Sequence, residues 1–182
     1  ESYIGALPSH VDVILADDIY VDRTQLPPAM VARLIRLAAF QNPEYYHAQK
    51  MRMSTHGKPR IISCAELHPR HIALPRGCLD EVLALLSSHQ VEAAVEDRRE
   101  DGEPLSVRFL GKLREEQTLA LNALAEHDTG VLAASPAFGK TVVAAALIAK
   151  RACSTLVLVH RRELLTQWVE RLREFLSVEA AD

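Results

Sequence analysis

The sequence is short of the features that would assign it quickly to a functional class. Its three cysteines, Cys64, Cys78 and Cys153, stand alone and far apart, which argues against a disulfide framework and against a zinc cluster. His68 and His71 flank Pro69 without a ligand set that would suggest a metal site. No repeat, low-complexity tract, signal peptide or membrane-length apolar run occurs, so a cytoplasmic protein is expected. The balance of 21 basic against 24 acidic residues gives a formal charge of −3, so the chain carries no global nucleic-acid signature. Any such contact has to come from a local patch. The first residue, Glu1, is not an initiator, which suggests a cut N-terminus.

What is present is a chain of 182 residues, 48% of them hydrophobic, enough for one or two domains with a core. Residues 131–141 read VLAASPAFGKT. Gly130–Ala134 is an apolar segment after the turn residues Asp128 and Thr129, and its length suits a buried parallel strand. Gly139-Lys140-Thr141 then opens the alanine-rich stretch Thr141–Lys150, apolar nearly all round, as in a helix wedged against a sheet. Thr155–Val159 is a second apolar strand candidate. Strand, loop, helix and strand within about thirty residues make the βαβ unit in which a phosphate loop operates. Loop amides and a helix N-terminus attract an anion, so Lys140 is expected to reach the terminal phosphates and Thr141 to ligate Mg²⁺. Ala134 stands where such a loop usually begins with glycine, and Ala137 and Phe138 replace smaller residues.

Two flanking stretches narrow the reading. Upstream, Leu113-Arg114-Glu115-Glu116-Gln117 starts an amphipathic helix with Leu121 and Leu124 on one face. Downstream, the second strand runs into His160-Arg161-Arg162-Glu163-Leu164-Leu165-Thr166-Gln167-Trp168. With the phosphate loop between them, these stretches resemble the L-R-x-x-Q, A-x-x-x-x-G-K-T and T-R-E-L-L-x-Q-W-like motifs of superfamily 2 helicases, in order. The resemblance implies that Gln117 hydrogen-bonds adenine with Arg114 near the base. It also implies that Ser135, Pro136, Ala137, Phe138, Gly139, Lys140 and Thr141 wrap the phosphates of ATP. Arg161 and Arg162 would contact a phosphate of the bound strand, although His160 and Arg161 replace the family's usual Pro-Thr pair. An ordinary solvated first turn at Arg162 and Glu163, and a solvated helix position at Gln117, are the plain alternatives. Trp168 falls in line with Leu164, Leu165, Val169, Leu172 and Phe175, so a core position is expected for it rather than a base-stacking platform.

Hydrolysis in that superfamily needs a D-E-x-H-type box on a later strand, where carboxylates hold Mg²⁺ and orient water. Nothing after Thr141 supplies it, and Asp17-Asp18 precedes the loop and reads as a hairpin turn. No second RecA-like domain or arginine finger is in the sequence. The chain is therefore expected to be the front part of a motor, inactive alone, with a truncated parallel sheet whose remaining strands come from beyond residue 182.

Ahead of the loop, Val11–Leu15 and Ile19–Arg23 alternate around Ala16-Asp17-Asp18 and predict a hairpin. Pro27 and Pro28 open a helix over Ala29–Phe40, with Met30, Leu34, Leu37 and Ala38 on its apolar stripe. Asn42-Pro43-Glu44 caps another helix running to about Met53. Arg60–Cys64 and His71–Leu74 read as extended, Cys78–Ser87 as an amphipathic helix, and Val91–Glu96 as an edge or half-buried strand. The charged run Asp97–Glu103 before Pro104 is the expected linker, and Leu105–Leu110 a lead-in strand. Lys50, Arg52, Lys58, Arg60, Arg70 and Arg76 make the stretch 50–76 locally basic, either a nucleic-acid face through Arg52, Lys58 and Arg60 or a solvated surface.

The order Ile72-Ala73-Leu74-Pro75-Arg76-Gly77, helix, strand and Glu96-Asp97-Arg98-Arg99, together with Asn42-Pro43-Glu44-Tyr45-Tyr46, resembles the XPB-like branch, which includes restriction-type helicases. That resemblance implies a leading domain that engages duplex DNA; the plain alternative is a packing domain. The expected fold is thus α/β: a mixed α/β domain over 1–104, then the first part of a RecA-like phosphate-loop domain over 105–182. The expected function is the N-terminal part of an ATP-dependent DNA helicase or translocase using ATP and Mg²⁺. Its DNA partner would be duplex or single-stranded, and no membrane partner is expected. The rivals are a restriction-type ATPase subunit and a non-catalytic nucleic-acid-binding module with a vestigial loop.

Overall fold

The alternation around residues 10–23 produces the hairpin on which the first half of the chain is built. In the computed structural model, which describes residues 6–178, the chain divides into two compact units, Glu1–Glu100 and Asp101–Asp182. In the first unit β1 (His10–Leu15) and β2 (Ile19–Asp22) pair antiparallel, with Leu15 opposite Ile19. Val11, Val13 and Leu15 of β1 and Ile19 and Val21 of β2 are buried, while His10 and Asp12 stay exposed. The period of two thus gives one dry face and one wet face.

Helix α1 (Pro28–Leu37) follows Pro27, whose fixed φ suits a helix start, and buries Met30 and Leu34. Three short strands follow in the order β3 (Ala39–Gln41), β4 (Ile61–Ser63) and β5 (Glu66–Leu67), with α2 (Pro43–Lys50) between β3 and β4. The sheet is completed by β6 (His71–Leu74) and β7 (Glu92–Asp97), which flank α3 (Leu79–Ser88). Its order is β5-β6-β2-β1-β7, antiparallel except for β1 against β7. The dry face of this mixed sheet meets Met30 and Leu34 of α1 and Val82 and Leu86 of α3 in one core with Ile72 and Leu74.

Several boundaries differ from expectation, each for a local reason. Helix α1 stops at Leu37, and Phe40 enters β3 opposite Ile62, because β4 offers a ladder that the helix would forgo. Helix α2 stops at Lys50 rather than near Met53, where Arg52 adopts a left-handed φ of 54° that no helix continues. Its start is as read: the Asn42 Oδ1 accepts the Glu44 N–H at 3.0 Å, while its Nδ2 donates to the Pro59 carbonyl at 2.8 Å. The strand β5 had no sequence signal. It is two residues long and held by its neighbour β6.

At the end of β2, the Asp22 carboxylate accepts the Thr24 hydroxyl at 2.6 Å, the Thr24 N–H at 2.8 Å and the Arg70 Nε at 2.9 Å. Burial opposes the charge, but the Thr24 and Arg70 bonds outweigh it and hold the pKa at about 2 against an ordinary 3.8. A folded-state pKa below the unfolded one stabilises above the unfolded value and is lost as pH falls. Asp22→Asn is therefore expected to lower unfolding free energy near neutrality, with the gap to wild type closing between about pH 4 and pH 2. Urea titrations across that window check this; a gap independent of pH would contradict it.

The second unit contains β8 (Val107–Phe109), α4 (Glu115–Ala125), α5 (Lys140–Arg151), α6 (Arg162–Phe175) and β9 (Leu176–Val178). Strands β8 and β9 pair antiparallel, and the rings of Phe109 and Phe175 stack with centroids 6.0 Å apart. Gly130–Ala134 and Thr155–Val159, expected as parallel strands, belong to no ladder. Val131 is 92% exposed, and Leu156 and Leu158 are 81% and 82% exposed. A parallel strand is stable only with hydrogen-bonded neighbours and covered faces, and among the described residues neither segment has a strand beside it. The core expected for Trp168 is also incomplete. Trp168 and Leu164 are half-buried, Leu165 and Val169 are exposed, and no described residue of α6 is buried. The buried apolar residues described in this unit are Val143, Ala145 and Ala146 of α5. The chain as a whole is α/β, with a mixed sheet and six α-helices among the described residues.

Candidate functional site

The loop before α5 is shaped by two residues in the left-handed region, Ala137 at φ 65° and Gly139 at φ 89°. Gly139 is the N-cap of α5, and no side chain caps the helix. A Cβ at Gly139 would stand 2.6 Å from the Gln117 Nε2, so both the backbone angle and the neighbour demand glycine here. The first N–H groups of a helix have no intrahelical acceptor. Leaving them without a side-chain cap produces a donor-rich, partly positive helix start. Val142 and Val143 N–H groups return to the Gly139 carbonyl at 2.9 and 3.1 Å, and the Phe138 N–H reaches the Ser135 carbonyl at 3.3 Å.

Lys140 turns back across the loop, its ammonium donating to the carbonyls of Ala134 at 2.8 Å and Ser135 at 3.0 Å. Thr141 borders a cavity of about 640 Å³ shared with Leu164, Gln167 and Trp168 of α6. The donor set at 135–141 suits a Mg²⁺-bound polyphosphate: an ammonium, a hydroxyl and an uncapped helix N-terminus, with no carboxylate among these residues.

Arg114 and Gln117 lie at the start of α4, three positions apart and hence on one helix face. Gln117 is only 5% exposed. Its Oε1 accepts the Arg114 N–H at 3.0 Å, half of a capping box, and its Nε2 donates to the Phe138 carbonyl at 2.8 Å. An Arg114 guanidinium N–H donates to the same carbonyl. Gln117 is therefore not a solvated helix position. Each end of its amide keeps one further hydrogen-bonding valence. That a main-chain carbonyl of the loop is the shared acceptor has no signature in the residue types, because carbonyls carry no residue identity.

Arg161 is the N-cap of α6 and Arg162 its first residue, both exposed and with no side-chain cap. Two cations at a helix N-terminus oppose the dipole unless an anion joins them. In the first unit, Arg52, Lys58 and Arg60 are all exposed or half-buried around α2. The Lys58 ammonium lies 3.4 Å from the Glu44 carboxylate. The Arg60 Nε donates to the Tyr45 hydroxyl at 2.9 Å, and its guanidinium carbon is 5.4 Å from the ring centroid. Arg70, by contrast, is on the wet sheet face, where it pairs with Asp22 at 2.9 Å while Arg98 pairs with Glu96 at 2.6 Å. Asp12 lines the same depression. That face is of mixed charge, so the basic stretch splits between two places.

No helix among the described residues is long and apolar enough to cross a membrane. Residues 110–182 match the family described as type III restriction enzyme, res subunit. A protein carrying the name helicase 109L from Invertebrate iridescent virus 3 is 38% identical over 73 residues, covering 38% of this chain and 22% of its own length. A Halobacterium salinarum protein named DNA 3'-5' helicase Rad25 is 42% identical over 73 residues, 40% of this chain and 12% of its own. Its namesake in Haloarcula marismortui is 26% identical over 180 residues, 87% of this chain and 29% of its own. The chain thus spans less than a third of the length of these relatives. The L-R-x-x-Q helix, the G-K-T loop and the Arg161-Arg162 helix start all lie inside the matched segment, so residues 110–182 are similar to the type III restriction res subunit family and to the helicase-named relatives.

Proposed function

We propose that this chain is the N-terminal part of an ATP-dependent DNA helicase or translocase, with residues 105–182 forming the start of its ATP-binding domain and residues 1–104 engaging DNA. The observation that carries the proposal is the uncapped start of α5, with glycine at φ 89° followed directly by Lys140 and Thr141. When bound, ATP with Mg²⁺ supplies the phosphoanhydride whose cleavage drives such a motor. Lys140 would exchange its two carbonyl acceptors for phosphate oxygens, a stronger charge-assisted contact. Thr141 would offer its hydroxyl to Mg²⁺, and the amides of Ser135 through Thr141 would line the phosphates, except at Pro136, which has none. Arg114 and the remaining valences of Gln117 would meet the adenine. No acidic hydrolysis box follows Thr141 in this sequence, so these residues account for nucleotide binding and not for hydrolysis.

For the strand, Arg161 and Arg162 at the α6 start would bind a backbone phosphate, which relieves their conflict with the helix dipole. Arg52, Lys58 and Arg60 would bind duplex backbone beside α2. Fluorescence anisotropy with a short duplex tests this second surface. Affinity should fall as salt rises, and a triple Arg52→Gln, Lys58→Gln, Arg60→Gln variant should bind more weakly with a shallower salt slope. Equal affinity and slope in the two proteins would refute the surface. The family match favours one related reading in which the same motor translocates within a restriction system rather than unwinding DNA.

A further inference from the structure

Cys64 and Cys78 are fourteen positions apart in the chain, yet the fold brings both to the end of α1. The Cys64 N–H donates to the Ala38 carbonyl at 2.8 Å, one step beyond the last pair of the β3–β4 ladder, Ala39 with Ser63. Residues opposite one another in an antiparallel ladder carry their side chains on the same side. Ala38 is buried in the core of the first unit, so Cys64 stands at the rim of that core. Cys78 packs against the same core, and its thiol donates to the Leu37 carbonyl at 3.8 Å. The two cysteines are thus tied to two successive carbonyls, Leu37 and Ala38.

Both thiols are free, Cys64 exposed and Cys78 half-buried. Burial, and then the charges of Glu81 and of Cys64 itself, push the Cys78 thiol above its ordinary pKa. Access makes Cys64 the thiol that meets an oxidant first and Cys78 the one that resolves the product.

We infer that Cys64 and Cys78 form a redox latch, a disulfide that closes when the chain meets hydrogen peroxide and opens with a thiol reductant. The Cys64 thiolate attacks one peroxide oxygen and becomes a sulfenic acid, and the other oxygen leaves as water. The Cys78 sulfur then attacks the Cys64 sulfur, and the sulfenic oxygen leaves as a second water with the Cys78 proton. Two thiols are oxidised to one disulfide while one peroxide is reduced to two waters. The bond joins the residue after β4 to the N-cap of α3. Strands β3 and β4 are the two ends of the excursion that carries α2, so the latch fixes the foot of that excursion to α3. It does so whatever α2 binds.

The test treats the reduced full chain with hydrogen peroxide, without denaturant, then counts thiols and maps peptides by mass spectrometry without reduction. Three free thiols should fall to one, with residues 64 and 78 linked and Cys153 still open to alkylation. Three surviving thiols, disulfide-linked dimers, or a 64–78 bond that forms in urea but not in the native chain would overturn the inference. In Cys78→Ala, Cys64 should accumulate as the sulfenic acid that dimedone traps; an unmodified Cys64 would overturn the order of attack. The wild-type mapping stands even if that variant folds poorly. The oxidised chain should also melt about 5–15 °C higher than the reduced one, and dithiothreitol should abolish the difference. An unchanged or lower midpoint would mean that the backbone must move to close the bond, and would overturn the latch.

Discussion

Replacing Lys140 by alanine is expected to weaken Mg²⁺–ATP binding by roughly one to two orders of magnitude. A hydrogen bond to a charged group contributes about 1.5–3 kcal/mol. The ammonium is exposed and anchored only to the loop carbonyls of Ala134 and Ser135, so its removal should leave folding almost unaffected. Calorimetry of wild type and variant, with thermal melting as the control for folding, decides the matter. Equal affinities would identify the loop as vestigial and favour a non-catalytic nucleic-acid-binding module.

The largest effect on stability is expected at Leu34. It is fully buried in α1 and shares the core of the first unit with Met30, Ile72, Leu74, Val82 and Leu86. Leu34→Ala removes apolar contacts and leaves a cavity that rigid neighbours on the sheet and α3 fill only in part, at a cost of about 2–5 kcal/mol. That is a large fraction of the roughly 5–15 kcal/mol that holds a typical domain folded. Urea unfolding followed by far-ultraviolet circular dichroism should show a clearly lower midpoint. A shift below about 0.5 kcal/mol would mean that the packing of α1 on the sheet is not as described.

What could be read from the sequence was what local chemistry dictates. The Ala16-Asp17-Asp18 turn, the Asn42 cap and the apolar stripes of α1 and α3 each follow from residues close to one another in the chain, and each is present in the structure. Helices α5 and α6 begin within a residue of the positions that their patterns indicated. The failures lie where structure depends on distant partners. Val131, Leu156 and Leu158 have strand chemistry but no ladder, because apolar composition does not provide neighbouring strands. Phe40 closes the helix expected from the pattern but pairs with Ile62, twenty-two positions away. At the site, the residue types at 114, 117 and 139–141 were legible. The sharing of the Phe138 carbonyl was not, since any residue at 138 presents the same acceptor.

The basic stretch 50–76 shows the same limit in charge terms. Composition alone grouped Arg70 with Arg52, Lys58 and Arg60, whereas Arg70 is occupied by Asp22 on the sheet and the other three surround α2. Counting cations along a sequence overstates a patch when carboxylates from other strands neutralise part of it.

The most direct test is a crystal of the chain grown with magnesium and a non-hydrolysable ATP analogue. Triphosphate density against the α5 start, with the Lys140 ammonium moved from the Ala134 and Ser135 carbonyls onto phosphate oxygens, is the expected result. Lys140 still seated on those carbonyls, with the helix start bare or covered by the Phe138 ring, would contradict it.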